Sequence, residues 1–192
     1  MQTLLLSTGV VALAEIGDKT QLLAFILATR FKKPIPIILG ILCATLINHA
    51  LAGAVGAWIT TAISPHALRW ILGISFIAMA VWTMIPDRIE EDEAPLGRKL
   101  GVFGATLVTF FLAEMGDKTQ LATVALAAKS AFPIDVVIGT TLGMMIADVP
   151  AVILGKKLGQ RISMRLVHTI AACIFLALGI ATLFGVGSGL GF

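Results

Sequence analysis

Glu15-Ile16-Gly17-Asp18-Lys19-Thr20-Gln21 returns ninety-nine residues later as Glu114-Met115-Gly116-Asp117-Lys118-Thr119-Gln120. Between Leu13–Leu22 and Leu112–Leu121 nine of ten positions are identical, and only Ile16/Met115 differs. Each copy sets an acid, a glycine, a second acid and a lysine inside a long apolar run. Ionisable groups at membrane depth are costly, so they mark an ion path or a binding site. Two such clusters point to a membrane transporter with a paired cation site.

The composition agrees. Of 192 residues, 58% are hydrophobic and 13% charged, and the mean hydropathy is +0.99. That is the profile of an integral membrane protein with the lipid bilayer as a partner. A formal charge of +3 could suit nucleic acid, but the basic residues sit mostly at the ends of apolar runs, where they orient helices in a bilayer. No nucleic-acid surface is expected. Cys43 and Cys173 each stand alone in an apolar run; without a CxxC spacing they read as small buried hydrophobes rather than a zinc or redox pair. Leu4–Val11 followed by Ala12-Leu13-Ala14 resembles a signal peptide, yet no positive residue precedes it and cleavage would fall just before the motif. It reads as the first half of a retained helix.

Six apolar segments, at about 3–29, 35–61, 67–86, 101–128, 134–155 and 166–187, each approach the roughly 20 residues that span a bilayer. The first and fourth are longer than a span needs, so they tilt or break, and each holds a glycine in mid-run. The same offset pairs Pro34 with Pro133, Gly40 with Gly139, Gly56 with Gly155 and His49 with Asp148. The unit is therefore three helices used twice, residues 1–86 and 101–192, joined by a polar, acidic linker, 87–100. Three spans per unit is odd, so the second copy enters the membrane from the opposite side. The expected fold is an all-α integral membrane protein of six transmembrane helices in two inverted three-helix repeats, an architecture recurrent in secondary transporters. With the N-terminus outside, ten basic residues (Arg30, Lys32, Lys33, Arg88, Arg98, Lys99, Lys156, Lys157, Arg161 and Arg165) fall on the cytoplasmic side and two, Arg69 and Lys129, outside. That asymmetry assigns both termini to the outside. Trp58, Trp70 and Trp82 lie toward helix ends, as interfacial anchors do. The acidic run Glu90–Glu93 reads as a solvated loop.

Glu15 and Asp18 are three apart and would share a helical face, with Lys19 also in reach. Gly17 permits close packing or a local unwinding, and Thr20 and Gln21, like Thr119 and Gln120, add neutral oxygens. About twelve residues precede Glu15 in its segment and about thirteen precede Glu114, so at roughly 1.5 Å per residue both acids arrive near the bilayer centre. The four carboxylates of Glu15, Asp18, Glu114 and Asp117, less the charges of Lys19 and Lys118, leave −2. A hard divalent cation bound through oxygen fits that charge, and a permanent zinc site does not. No permanent cofactor is expected; the metal is cargo. Without metal, crowded carboxylates take up protons as a coupled set, so metal and proton compete for the same groups, and alternating exposure gives metal/proton antiport. The blander reading makes the same groups ion pairs that hold the first helix against the fourth. Asn48 and His49 lie midway along the second span and Asp148 along the fifth; they read equally as proton carriers or further ligands and as packing hydrogen bonds. Pro150 reads as a kink. Gly40/Ala44, Gly53/Ala57 and Gly139/Gly143 have the small-xxx-small spacing of close helix contacts.

The doubled Glu-x-Gly-Asp-Lys-Thr resembles the signature E-x-G-D-[KR]-[TS] of the Gdt-type cation/proton exchangers, which include Golgi Ca²⁺/Mn²⁺ transporters and bacterial MneA-type manganese exporters. The likeness covers the whole chain, with no departure in either copy. It implies that Glu15, Asp18, Glu114 and Asp117 are the metal-binding and proton-exchanging acids, with Lys19, Thr20, Lys118 and Thr119 filling the other motif positions. It also implies a compact bacterial member, an inner-membrane exporter of Mn²⁺ or Ca²⁺. Three other readings remain open at this point. An exporter of cationic amino acids could use Lys19 or Lys118 to bind a carboxylate, an intramembrane aspartyl protease could use Asp18 and Asp117, and a passive metal channel would lack proton coupling.

Overall fold

A computed structural model describes residues 1–84, 97–154 and 164–184. Among them the regular structure is entirely α-helical: α1 (Gln2–Glu15), α2 (Lys19–Phe31), α3 (Pro34–Ala62), α4 (Pro65–Thr83), α5 (Gly97–Glu114), α6 (Lys118–Lys129), α7 (Pro133–Leu154) and α8 (Met164–Leu183). Pro34, Pro65 and Pro133 each open a helix, where the missing N–H forfeits no helical bond. Ser64 caps α4 by accepting the Ala67 N–H at 3.4 Å.

In its described part each of the six apolar segments is helical, but the first and fourth are broken pairs, α1–α2 and α5–α6. The second pair bends by 71° at its break. Three helices, α3, α4 and α7, are long and apolar enough to cross a membrane, and the α5–α6 pair makes a fourth if counted as one span. α7 runs through Pro150 without interruption. Of the polar stretch 87–100, residues 97–100 are helical, with a kink just beyond them at Gly101, and 87–96, Glu90–Glu93 among them, lie outside the described residues. Lys156, Lys157 and Arg161, counted toward the charge asymmetry, lie outside them too.

Among the described residues most ionisable groups of the motif lie inside, beside an apolar core, and large apolar side chains face outward. Glu15, Asp18, Asn48, His49, Glu114, Asp117, Lys118 and Asp148 are all buried, whereas Leu46, Leu51, Trp58, Ile74, Leu142 and Ile146 are exposed. That distribution suits lipid as the surrounding solvent. Buried hydroxyls mostly satisfy themselves on their own helix: Ser7 donates to the Thr3 carbonyl, Thr106 to Val102, Thr109 to Ala105 and Thr140 to Val136, each at 2.8–2.9 Å. Trp58 and Trp70 are exposed and Trp82 half-buried. The cysteines are not core residues: Cys43 is half-buried and Cys173 exposed.

The two repeats of sequence interleave. α1 packs along α7, α5 along α3, α6 also along α3, and α4 along α8. The small residues make these contacts. A Cβ on Gly40 would lie 2.7 Å from the Thr106 Cβ and 3.0 Å from the Phe103 carbonyl. Gly139 meets Ser7 and the Leu4 carbonyl in the same way, and all three residue pairs are ninety-nine apart. One turn on, a Cβ on Gly143 would sit 2.6 Å from the Thr8 carbonyl and 2.9 Å from the Ala12 nitrogen. Backbone cannot step aside as a side chain can, so Gly143→Val is expected to pry α7 from α1. The cost is about 1–3 kcal/mol of overpacking, read as an earlier unfolding midpoint in detergent; an unchanged midpoint would show that the two helices separate freely.

Candidate functional site

The site is built from two helix breaks of the same design. α1 ends at Glu15 and α2 begins after Asp18; α5 ends at Glu114 and α6 begins after Asp117. Glu15 and Asp18 therefore do not share one helical face, contrary to the simplest reading of their spacing. The helix is interrupted through Gly17 (φ 88°) and Gly116 (φ 79°), a left-handed backbone that a Cβ opposes. In each turn the aspartate N–H donates to the glutamate carbonyl, Asp18 to Glu15 at 3.0 Å and Asp117 to Glu114 at 3.1 Å. The glutamine closes the gap from the far side: Gln21 Oε1 accepts the Gly17 N–H at 3.1 Å, and Gln120 Oε1 accepts the Gly116 N–H at 2.6 Å. Gln21 Nε2 also donates to the Ala147 carbonyl at 3.0 Å, tying the first break to α7.

The aspartates head the second helix of each pair, where the N-terminal dipole favours negative charge. Asp18 Oδ1 accepts the Lys19 N–H at 2.8 Å; Asp117 makes no such cap. The threonines hold the glutamates. Thr20 Oγ1 donates to Glu15 Oε2 at 2.7 Å, and Thr119 Oγ1 lies 3.3 Å from both Glu114 Oε2 and Asp117 Oδ2. That leaves Glu15 Oε1 and Glu114 Oε1 buried without a hydrogen-bond partner among the described residues, an arrangement costly to keep unless something else binds there.

Oxygens of Glu15, Glu114 and Asp117 lie within 4.8 Å of one another. A cation bonded at about 2.0–2.6 Å to oxygen reaches ligands separated by up to twice that, so these three fit one ion. Asp18 is not in the group. Its Oδ2 is 3.0 Å from Lys118 Nζ in a fully buried ion pair between the two breaks. Lys19, the other motif lysine, is only half-buried. The packing role that the sequence also allowed is thus filled by one lysine, not two.

Asp148 is the fifth acid here. It is fully buried, neither of its oxygens has a hydrogen-bond partner among the described residues, and it follows Ala147, whose carbonyl accepts from Gln21 at the first break. Its sequence counterpart His49 is buried with both ring nitrogens unpartnered and stands outside the group of three acids. Asn48 donates through Nδ2 to the Phe111 carbonyl at 3.1 Å, joining α3 to α5. Sequence reading passed over Thr45 and Thr141, whose buried hydroxyls lack partners on the helices flanking the breaks. It also passed over Ser7 and Thr106, although their ninety-nine-residue spacing was there to be seen.

Comparison with known proteins reaches the same duplicated segments. The family model described as divalent cation/proton antiporter GDT1 matches residues 3–91 and 102–189. A Vibrio cholerae protein provisionally named a manganese exporter is 47% identical over 96% of this chain and 92% of its own. GDT1-like protein 3 of Oryza sativa is 30% identical over 93% of this chain and 72% of its own. The PAM71-homolog of Arabidopsis thaliana, a chloroplastic protein by name, is 28% identical over 93% and 58%. No solved structure matches the chain. Two matched blocks, each containing one of the breaks that carry the acids, span nearly all of the sequence: the chain belongs to the GDT1 family of divalent cation/proton antiporters.

Proposed function

We propose that this membrane protein exports Mn²⁺, with Ca²⁺ as the other cation it carries, in exchange for protons that occupy the same carboxylates. The observation that carries this reading is the pair of buried, unpartnered oxygens on Glu15 and Glu114, set with an Asp117 oxygen inside one ion's reach. Thr20 and Thr119 aim the glutamates, Gln21 and Gln120 hold the turns open, and Asp18 balances Lys118. The all-oxygen donor set suits Mn²⁺ and Ca²⁺, and the name of the Vibrio cholerae relative favours the first. The duplicated contacts of Gly40 and Gly139 support two three-helix repeats, residues 1–86 and 101–192, of opposite orientation, giving six spans with both termini outside in a bacterial inner membrane. Exchange by a family of transporters leaves the protease reading without support.

The test is proton movement in proteoliposomes driven by Mn²⁺, Ca²⁺ or Mg²⁺ in turn. Mn²⁺ should release protons most strongly. If an intact protein gives no metal-linked proton signal, metal exchange is wrong, and a cationic amino acid becomes the cargo to try.

A further inference from the structure

Much of the packing around the two breaks is duplicated, and the departure that bears on charge is in the lysines. Gly40 and Gly139 meet equivalent partners, both turns use a left-handed glycine, and both threonines reach their glutamates. The lysines do not follow the pattern. Lys118 is fully buried with Nζ 3.0 Å from Asp18 Oδ2. Lys19 is half-buried and makes no ion pair among the described residues. The acids divide accordingly: the three oxygens within one ion's reach belong to Glu15, Glu114 and Asp117, and the motif acid left out is the one Lys118 holds.

From this asymmetry we infer that Lys118 and Lys19 are alternating counter-ions that decide which aspartate faces the transported cation. Here Lys118 neutralises Asp18 and leaves Asp117 to the ion. In the reciprocal arrangement Lys19 neutralises Asp117 and leaves Asp18, while Glu15 and Glu114 serve in both. The two seven-residue segments differ only at Ile16/Met115, so the reciprocal arrangement uses the same motif groups, although Asp148 near one half is answered by His49 in the other. A buried lysine without its carboxylate is costly, which makes a half-switched arrangement unfavourable and the change abrupt. Cation and lysine compete for each aspartate: an ion on Asp117 blocks Lys19, and its departure admits Lys19 and frees Asp18. A ligand that binds one arrangement in this way biases the equilibrium between the two. The lysines act as positioning residues, and the inference rests on the metal-binding reading of the carboxylates.

The test places cysteine pairs in a protein whose Cys43 and Cys173 are changed to alanine. Asp18→Cys with Lys118→Cys, and separately Lys19→Cys with Asp117→Cys, are treated with a short bifunctional thiol reagent, with and without Mn²⁺. Both pairs should be bridged; bridging at 18/118 alone under every condition overturns the inference. A second readout keeps all four acids. Lys19→Met and Lys118→Met should each slow Mn²⁺-driven proton movement by about 10-fold or more and agree within about 3-fold, with Lys19→Arg restoring the rate. A Lys19→Met protein exchanging at the unmodified rate also overturns it, since a single fixed pairing gives Lys19 no partner to lose. If the unmodified protein moves no protons with any metal, the antiport reading fails instead, and the thiol bridges still decide between one pairing and two.

Discussion

Glu114→Gln is expected to reduce Mn²⁺-driven proton movement by at least about 100-fold, because even outer-shell partners of a metal ligand are worth 10–100-fold. The substitution keeps the shape of the side chain. A glutamine oxygen can still accept the Thr119 hydroxyl that now lies 3.3 Å from Glu114 Oε2, and the break beside it, closed by Gln120 and the Asp117 N–H, is untouched. What is lost is a charge and a proton-carrying oxygen at the atom that has no protein partner, Oε1. Glu15→Gln should behave the same way, its Thr20 bond surviving. Thr119→Val provides the graded comparison: it removes only the hydroxyl that aims Glu114 and Asp117, and should fall within that 10–100-fold range. Exchange by Glu114→Gln at more than a tenth of the normal rate, in proteoliposomes holding equal amounts of folded protein, would remove Glu114 from the ligand set.

The second large effect is on stability. Asp18→Asn should lower the unfolding midpoint in detergent more than any other single change at the site. Asparagine is as good a helix cap as aspartate, so the bond from the Lys19 N–H to the capping side chain survives. The loss falls on Lys118, whose ammonium stays fully buried opposite a neutral amide in place of a carboxylate 3.0 Å away. Breaking one side of a buried pair costs about 3–5 kcal/mol, whereas removing both charges is often close to neutral. Adding Lys118→Met to Asp18→Asn should therefore recover most of the midpoint without recovering exchange. If the single and double variants unfold together, the ion pair contributes nothing to the fold, and the midpoint reports some other role of Asp18.

Much of this was legible in the sequence, for identifiable reasons. The period of ninety-nine residues, the six apolar runs and the excess length of the first and fourth come from composition and counting, and the excess length required a tilt or a break. What counting left open was which. A glycine in mid-run serves close packing or unwinding equally well on paper; at Gly17 and Gly116 the positive φ decides for unwinding, while Gly40, Gly139 and Gly143 are packing residues. The same ambiguity misplaced Asp18, which caps a new helix in place of sharing a face with Glu15. Lys19 and Lys118 are indistinguishable in sequence, and identical segments cannot announce that one lysine is paired while the other is not. The pairing is decided by tertiary packing, where Lys118 Nζ lies 3.0 Å from Asp18 Oδ2 across the two breaks. His49 and Asp148 stand opposite each other in the alignment of the halves, and counting could not say that both would be buried without a hydrogen-bond partner among the described residues.

Nearly every bond that repairs each break is made within the seven residues that cause it. Glutamate supplies a carbonyl to the aspartate N–H and a carboxylate to the threonine, and glutamine returns to the glycine N–H. Ile16/Met115, whose side chain joins none of these bonds, is the position that differs between the copies. Such a segment is a self-contained part. It can be copied into another apolar helix without compensating changes elsewhere in that helix, so a single gene duplication would deliver a second working break at once, leaving only the choice of lysine to be settled by the surroundings.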